Sequence, residues 1–128
     1  MIFLSSQECI QSRISARIQQ LELHLKNKGF ENIDQANGYV SMYQMFLICF
    51  VKKELIKDVS RVRSAKNAKG KQLLVTTVGN KGGLSYSFAL KNHIFNIIGC
   101  HLQHKAEKQK KRNFMSRQLV DEMKMQEL

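Results

Sequence analysis

The stretch from Met42 to Val51 constrains the fold of this chain more than any other. Met45-Phe46-Leu47-Ile48-Cys49-Phe50-Val51 is an unbroken apolar run closed by Lys52-Lys53. A half-buried strand alternates apolar and polar residues, and this run does not. Its length and aromatic content suit a central strand buried on both faces. Such a strand must be covered above and below, so the remaining residues have to supply two layers. The 128 residues are enough for one domain that buries a core.

The flanking sequence offers pieces for those layers. Ile2 to Ser5 reads as a short buried strand whose end delivers a carboxylate at Glu8. Ile14, Ile18, Leu21 and Leu25 recur at helical spacing, with Ser12 placed to cap the start and Gly29 just past the end. Ile56 to Val62 alternates loosely and predicts the next strand; Asn67 to Gly70 is turn-like, and Leu73 to Val78 is a further strand candidate. Leu84, Tyr86, Phe88 and Leu90 alternate with Ser85, Ser87 and Ala89, a strand with one polar face. Lys91-Asn92 suits a hairpin turn into a return strand, Phe95 to Cys100. Asn113 is placed to cap a last helix built on Met115, Leu119, Val120 and Met123. The prediction is an α/β chain with one mostly antiparallel sheet and two helices. That is little cover for such a sheet, and it suggests part of something larger.

Charge narrows the partners. Lys and Arg number 21 against 10 Asp and Glu, a net +11, which favours polyanions: nucleic acid, an anionic membrane surface or a multiply phosphorylated ligand. Met1 to Leu4 is apolar but lacks the basic flank of a signal peptide, and no segment reaches the roughly 18 apolar residues needed to cross a bilayer. Cys9, Cys49 and Cys100 lie without CxxC spacing in or beside apolar runs. They read as small buried hydrophobes of a reducing, cytoplasmic compartment rather than as zinc ligands.

Three features could carry chemistry. Gly79-Asn80-Lys81-Gly82-Gly83 is a tight turn in which the glycines permit φ > 0 and leave main-chain N–H groups open to an anion. His101 closes the following strand, where an imidazole can donate to a phosphoryl oxygen or transfer a proton. Glu8 at a strand end suits a divalent cation, since Mg²⁺ takes one or two carboxylates plus water and phosphate oxygens. In the basic run from Lys105, Arg112 stands out because a planar guanidinium can hold a phosphate bidentately.

Taken in order, these pieces resemble the inositol polyphosphate 5-phosphatases of the endonuclease/exonuclease/phosphatase superfamily. Ile2 to Glu8 resembles that family's strand followed by Gln-Glu, and Met45 to Lys53 its apolar strand ending in Val-Lys-Lys. Gly79-Asn80-Lys81-Gly82 matches its Gly-Asn-Lys-Gly signature, Cys100-His101-Leu102 its Ser-His-Leu, and Lys111-Arg112-Asn113 its Arg-Arg-Asn. The resemblance implies a partial endonuclease/exonuclease/phosphatase-type sandwich over residues 1–128, with Glu8 on a catalytic Mg²⁺ and His101 against the scissile phosphate. It also places Asn80, Lys81, Arg112 and Asn113 at the substrate. The implied reaction is hydrolysis of a phosphomonoester of an inositol phosphate or phosphoinositide, at a membrane surface where the substrate is a lipid.

The departures bear on activity. Cys100 stands where the family has serine. The chain has no tryptophan, and so lacks the family's Trp-Asn-x-Asn, and it has no Gly-Asp or Asp-His pair, so it lacks Gly-Asp-x-Asn and Ser-Asp-His. The expectation is an incomplete domain, inactive alone. Two alternatives are a non-enzymatic domain binding anionic lipid or inositol phosphates, and a nuclease-like nucleic-acid-binding protein of the same superfamily. The Gly-Asn-Lys-Gly signature argues against nucleic acid.

Overall fold

Strand β4 (Met45–Lys52) carries the predicted central run, and every residue from Met45 to Val51 is buried. The computed structural model describes residues 1–68, 81–102 and 106–123. Successive side chains of a strand point to opposite faces, and β4 separates two cores in this way. Met45, Leu47, Cys49 and Val51 join Leu84, Tyr86, Phe88 and Leu90 in one cluster. Phe46, Ile48 and Phe50 join Ile14 and Ile18 in the other.

Three antiparallel partners surround β4: β1 (Ile2–Ser6) on one side, β2 (Phe30–Asn32) and β3 (Val40–Met42) on the other. A second antiparallel sheet has the order β5 (Val59–Ala68), β6 (Gly82–Leu90), β7 (His93–His101). Helix α1 (Ile14–Asn27) covers the first sheet, and α2 (Gln109–Met123) lies on β5 and β6 of the second. The layers therefore run α1, sheet, sheet, α2. The α/β class and the partial sandwich hold, and the expected single sheet resolves into two. The second sheet covers the odd face of β4, as α1 covers the even one.

Several local expectations are corrected. Ser12 lies in a 3₁₀ turn (Gln11–Arg13), and α1 starts without a side-chain cap. Gly29 does end the helix, at φ +84, a left-handed conformation that glycine adopts without penalty. Strand β1 is half exposed rather than buried, with Phe3 38% exposed, because β4 is its sheet partner among the described residues. Residues Lys53–Asp58 form a 3₁₀ segment, so strand β5 begins only at Val59. Asn67 and Ala68 continue β5 instead of turning, while Lys69, Gly70 and the Leu73 to Val78 candidate lie outside the described residues.

The β6–β7 hairpin turns at Lys91-Asn92 as expected, with Leu90 opposite His93 and Phe88 stacked on its cross-strand partner Phe95 at a 5.4 Å centroid distance. Its serine face is not solvated, however: Ser85 and Ser87 are fully buried, and the Ser87 hydroxyl donates to Asn96 Oδ1. Asn113 is the fifth residue of α2 and cannot cap it. Among the described side chains of that helix Met115 and Leu119 are buried and Val120 is 45% exposed, while the side chain of Met123 lies outside the described residues.

Candidate functional site

The C-terminal ends of β1 and β7 and the first residue before β6 converge at one end of the sandwich. Register places Gly82 opposite His101, so Lys81 enters β6 beside the last residue of β7. The Lys81 ammonium lies 2.9 Å from His101 Nε2. Lys81 is only 8% exposed, an unusual place for a lysine. Gly82 has φ +138, which excludes a side chain at the turn into the strand.

Glu8 arrives from the other sheet. Beyond Ser6, the Cys9 N–H donates to the Gln44 carbonyl at 3.0 Å, and the buried Cys9 side chain packs under α1. Between those anchors the chain bends, and Glu8 adopts φ +55. A non-glycine residue there costs roughly 1–2 kcal/mol, and such outliers cluster at functional sites. The bend brings Glu8 Oε1 to 3.4 Å from His101 Nε2. The carboxylate is 74% exposed and the imidazole 13%, so this contact adds little to stability. It leaves Glu8 open to solvent and to a ligand.

One nitrogen therefore faces both partners. At 2.9 Å a Lys81 ammonium donates to His101 Nε2 when that nitrogen carries no proton, and a protonated Nε2 donates to Glu8 instead. Lys81 is thus nearly buried against the His101 ring, with the Glu8 carboxylate on that same ring nitrogen.

Gln7, given no role beyond the Gln-Glu motif, and Gly99, not singled out at all, hold this geometry. The Gln7 side-chain amide donates to the Cys100 carbonyl, tying β1 to β7 one residue before Glu8 and His101. Because the acceptor is main chain, cysteine in place of serine at that position leaves the tie intact. Gly99 lets the sheets approach: a Cβ there would lie 2.4 Å from Ser5 Oγ and 3.1 Å from Ser5 Cβ. Glycine inside a strand signals close approach of another backbone, and that signal was available. Gly99→Ala should cost about 1–3 kcal/mol, as overpacking does, and Ser5→Gly in the same chain should recover most of it. Urea unfolding of the single and double variants measures both, and a neutral Gly99→Ala would show that the sheets are not in close contact.

The remaining predicted residues are placed differently. Arg112 is half-buried and Asn113 exposed, both in α2 rather than at the strand ends. Asn80 lies outside the described residues. A cavity of about 300 Å³ between α1 and β2 is lined by Glu22, Glu31 and Asp34, carboxylates that would repel a phosphate.

As for a metal, among the described residues no group of three or more His, Cys, Asp or Glu could hold one. Glu8 by itself suits a hard cation as a single solvent-facing oxygen donor, the share Mg²⁺ takes from a protein when waters and phosphate oxygens complete its shell.

The family model for endonuclease/exonuclease/phosphatase family 2 matches residues 1–128. The chain belongs to this family. Among curated proteins none matches it. Membership fits a phosphatase or a nuclease-like hydrolase.

Proposed function

We propose that the chain carries the phosphate-binding part of an inositol polyphosphate 5-phosphatase site. The observation that carries this reading is the nearly buried Lys81 ammonium 2.9 Å from His101 Nε2, with the Glu8 carboxylate 3.4 Å from the same nitrogen. The five motifs in family order support the phosphatase branch over the nuclease branch.

A phosphate entering here gives Lys81 a charged acceptor in place of the ring nitrogen. Released from Lys81, His101 Nε2 is free to carry a proton and donate it to a second phosphoryl oxygen. Charge-assisted bonds of this kind, aimed where negative charge concentrates, stabilise phosphoryl transfer. Glu8 would hold Mg²⁺, which when bound neutralises phosphoryl charge and lowers the pKa of a coordinated water. The sequence holds no Gly-Asp or Asp-His pair to activate that water. Binding without turnover is the expected behaviour of this chain on its own.

Calorimetric titration with a soluble inositol trisphosphate tests the reading. Lys81→Ala should weaken binding about 10- to 100-fold, the range for a bond to a charged group. Glu8→Ala should leave metal-free binding intact. Unchanged binding in Lys81→Ala sinks the assignment. Mg²⁺-dependent phosphate release lost in Glu8→Ala would overturn the expected inactivity while keeping the phosphatase reading. Tighter binding of duplex DNA than of inositol phosphate would favour the nuclease branch.

A further inference from the structure

We infer that the outer face of α2 docks on an anionic bilayer, with Phe114 as the inserted side chain. Met115 and Leu119, four residues apart, turn inward to the second sheet and are 4% and 2% exposed. Phe114 therefore faces outward, and it is 63% exposed. Residues three and four apart are neighbours on a helix surface. The neighbours of Phe114 on that count include Lys110, Lys111 and Arg117, all exposed, and Lys108 in the preceding turn extends the same basic end. Glu107 and Asp121, at the two ends of this face, are the carboxylates near it among residues whose side chains are described.

A single exposed apolar residue needs no explanation, and Leu23 of α1, 65% exposed, is such a case. Its neighbours at the same spacings are Gln19, Gln20, Lys26 and Asn27, with one cation among them. What distinguishes Phe114 is three cations around one aromatic on a single helix face. Interfacial helices combine those two elements: the ring enters the headgroup boundary while Lys and Arg meet anionic lipid. The chain's net +11 adds long-range attraction of the same sign. Helix α2 starts eight residues after His101, so docking there holds the Lys81–His101 site within about 29 Å of the leaflet, the extended span of that connection. This orientation rests on the phosphatase reading. The docking itself does not.

The chain contains no tryptophan, so Phe114→Trp places a sole reporter in the full-length chain. With vesicles of phosphatidylcholine containing phosphatidylserine and no inositol lipid, its emission should shift to the blue and be quenched by brominated acyl chains. Pure phosphatidylcholine should leave it unchanged. In co-sedimentation of otherwise unaltered chains, Phe114→Ser should weaken vesicle binding about tenfold, from the loss of one buried aromatic. Lys110→Glu with Lys111→Glu should weaken it more than about 100-fold, at roughly fivefold per unit of charge. Leu23→Ser should bind as the unaltered chain. No emission shift, equal binding by Phe114→Ser and Leu23→Ser, or tighter binding of duplex DNA than of these vesicles would each overturn the proposal. The vesicles carry no inositol phosphate, so these outcomes leave the titration with soluble inositol trisphosphate to stand or fall separately.

Discussion

Phe50→Ala should remove about 3–5 kcal/mol of stability, the range for truncating a buried phenylalanine, out of a total that for most domains is about 5–15 kcal/mol. Phe50 is 1% exposed on the face of β4 that meets α1, in one cluster with Ile14, Ile18, Phe46 and Ile48. It stands opposite Ile2 of β1 and Asn32 of β2, so it lies where three strands and a helix meet. A cavity there cannot close by moving one element, because β4 is held on both sides by ladders and on both faces by packing. The loss should appear as a fall in the urea midpoint with little change in slope. Leu23→Ala, on the exposed side of α1, should stay within about 0.5 kcal/mol of the unaltered chain, as surface changes do. Equal midpoints for the two variants would show that β4 is not buried on both faces.

That strand was legible because its burial is written locally: seven apolar residues in succession cannot be half-solvated. The spacing of Ile14, Ile18, Leu21 and Leu25, the stop at Gly29 and the Lys91-Asn92 turn are local in the same sense. What depended on distant parts of the chain was not legible. The second sheet follows from Leu47 and Cys49 meeting Leu84 and Tyr86, and no window of sequence holds both sets. Ser85 and Ser87 read as a polar face, and its burial was not legible, since small hydroxyls can be satisfied inside, as the Ser87 bond to Asn96 is. Asn113 has the chemistry of a cap, but Gln109 to Arg112 are good helix formers and carry the helix past it. In the site, Glu8, Lys81 and His101 were readable as motif residues. Gln7 and Gly99 act across the gap between sheets, so only the fold shows what they do.

Tyr86→Phe should cost about 1.5–3 kcal/mol, the range for a hydrogen bond to a charged group, although it removes a single oxygen. Tyr86 is fully buried between the sheets, and its hydroxyl donates to Asp34 Oδ2 at 2.6 Å. Asp34 is itself 6% exposed, and its Oδ1 accepts the Asn37 N–H at 2.9 Å. Phenylalanine would leave the nearly buried Oδ2 without that donor, and Tyr86→Phe with Asp34→Asn should show a coupling of at least about 1 kcal/mol, as contacting buried partners do. The same bond predicts a pH dependence. Burial, and then the Asp34 carboxylate, push the Tyr86 hydroxyl above its ordinary 10.0; burial pushes the Cys49 thiol from 9.0 to about 12. Both groups keep their protons in the native chain at pH values where the unfolded chain has lost them. The unfolded state then binds fewer protons, so stability is level below about pH 9 and falls as pH rises beyond it. In Tyr86→Phe the part of that fall beginning near pH 10 should vanish, while the Cys49 part remains. Unfolding free energies from pH 7 to pH 11 decide the matter: if the two chains lose stability in parallel, the Tyr86 hydroxyl is not held by Asp34 in the core.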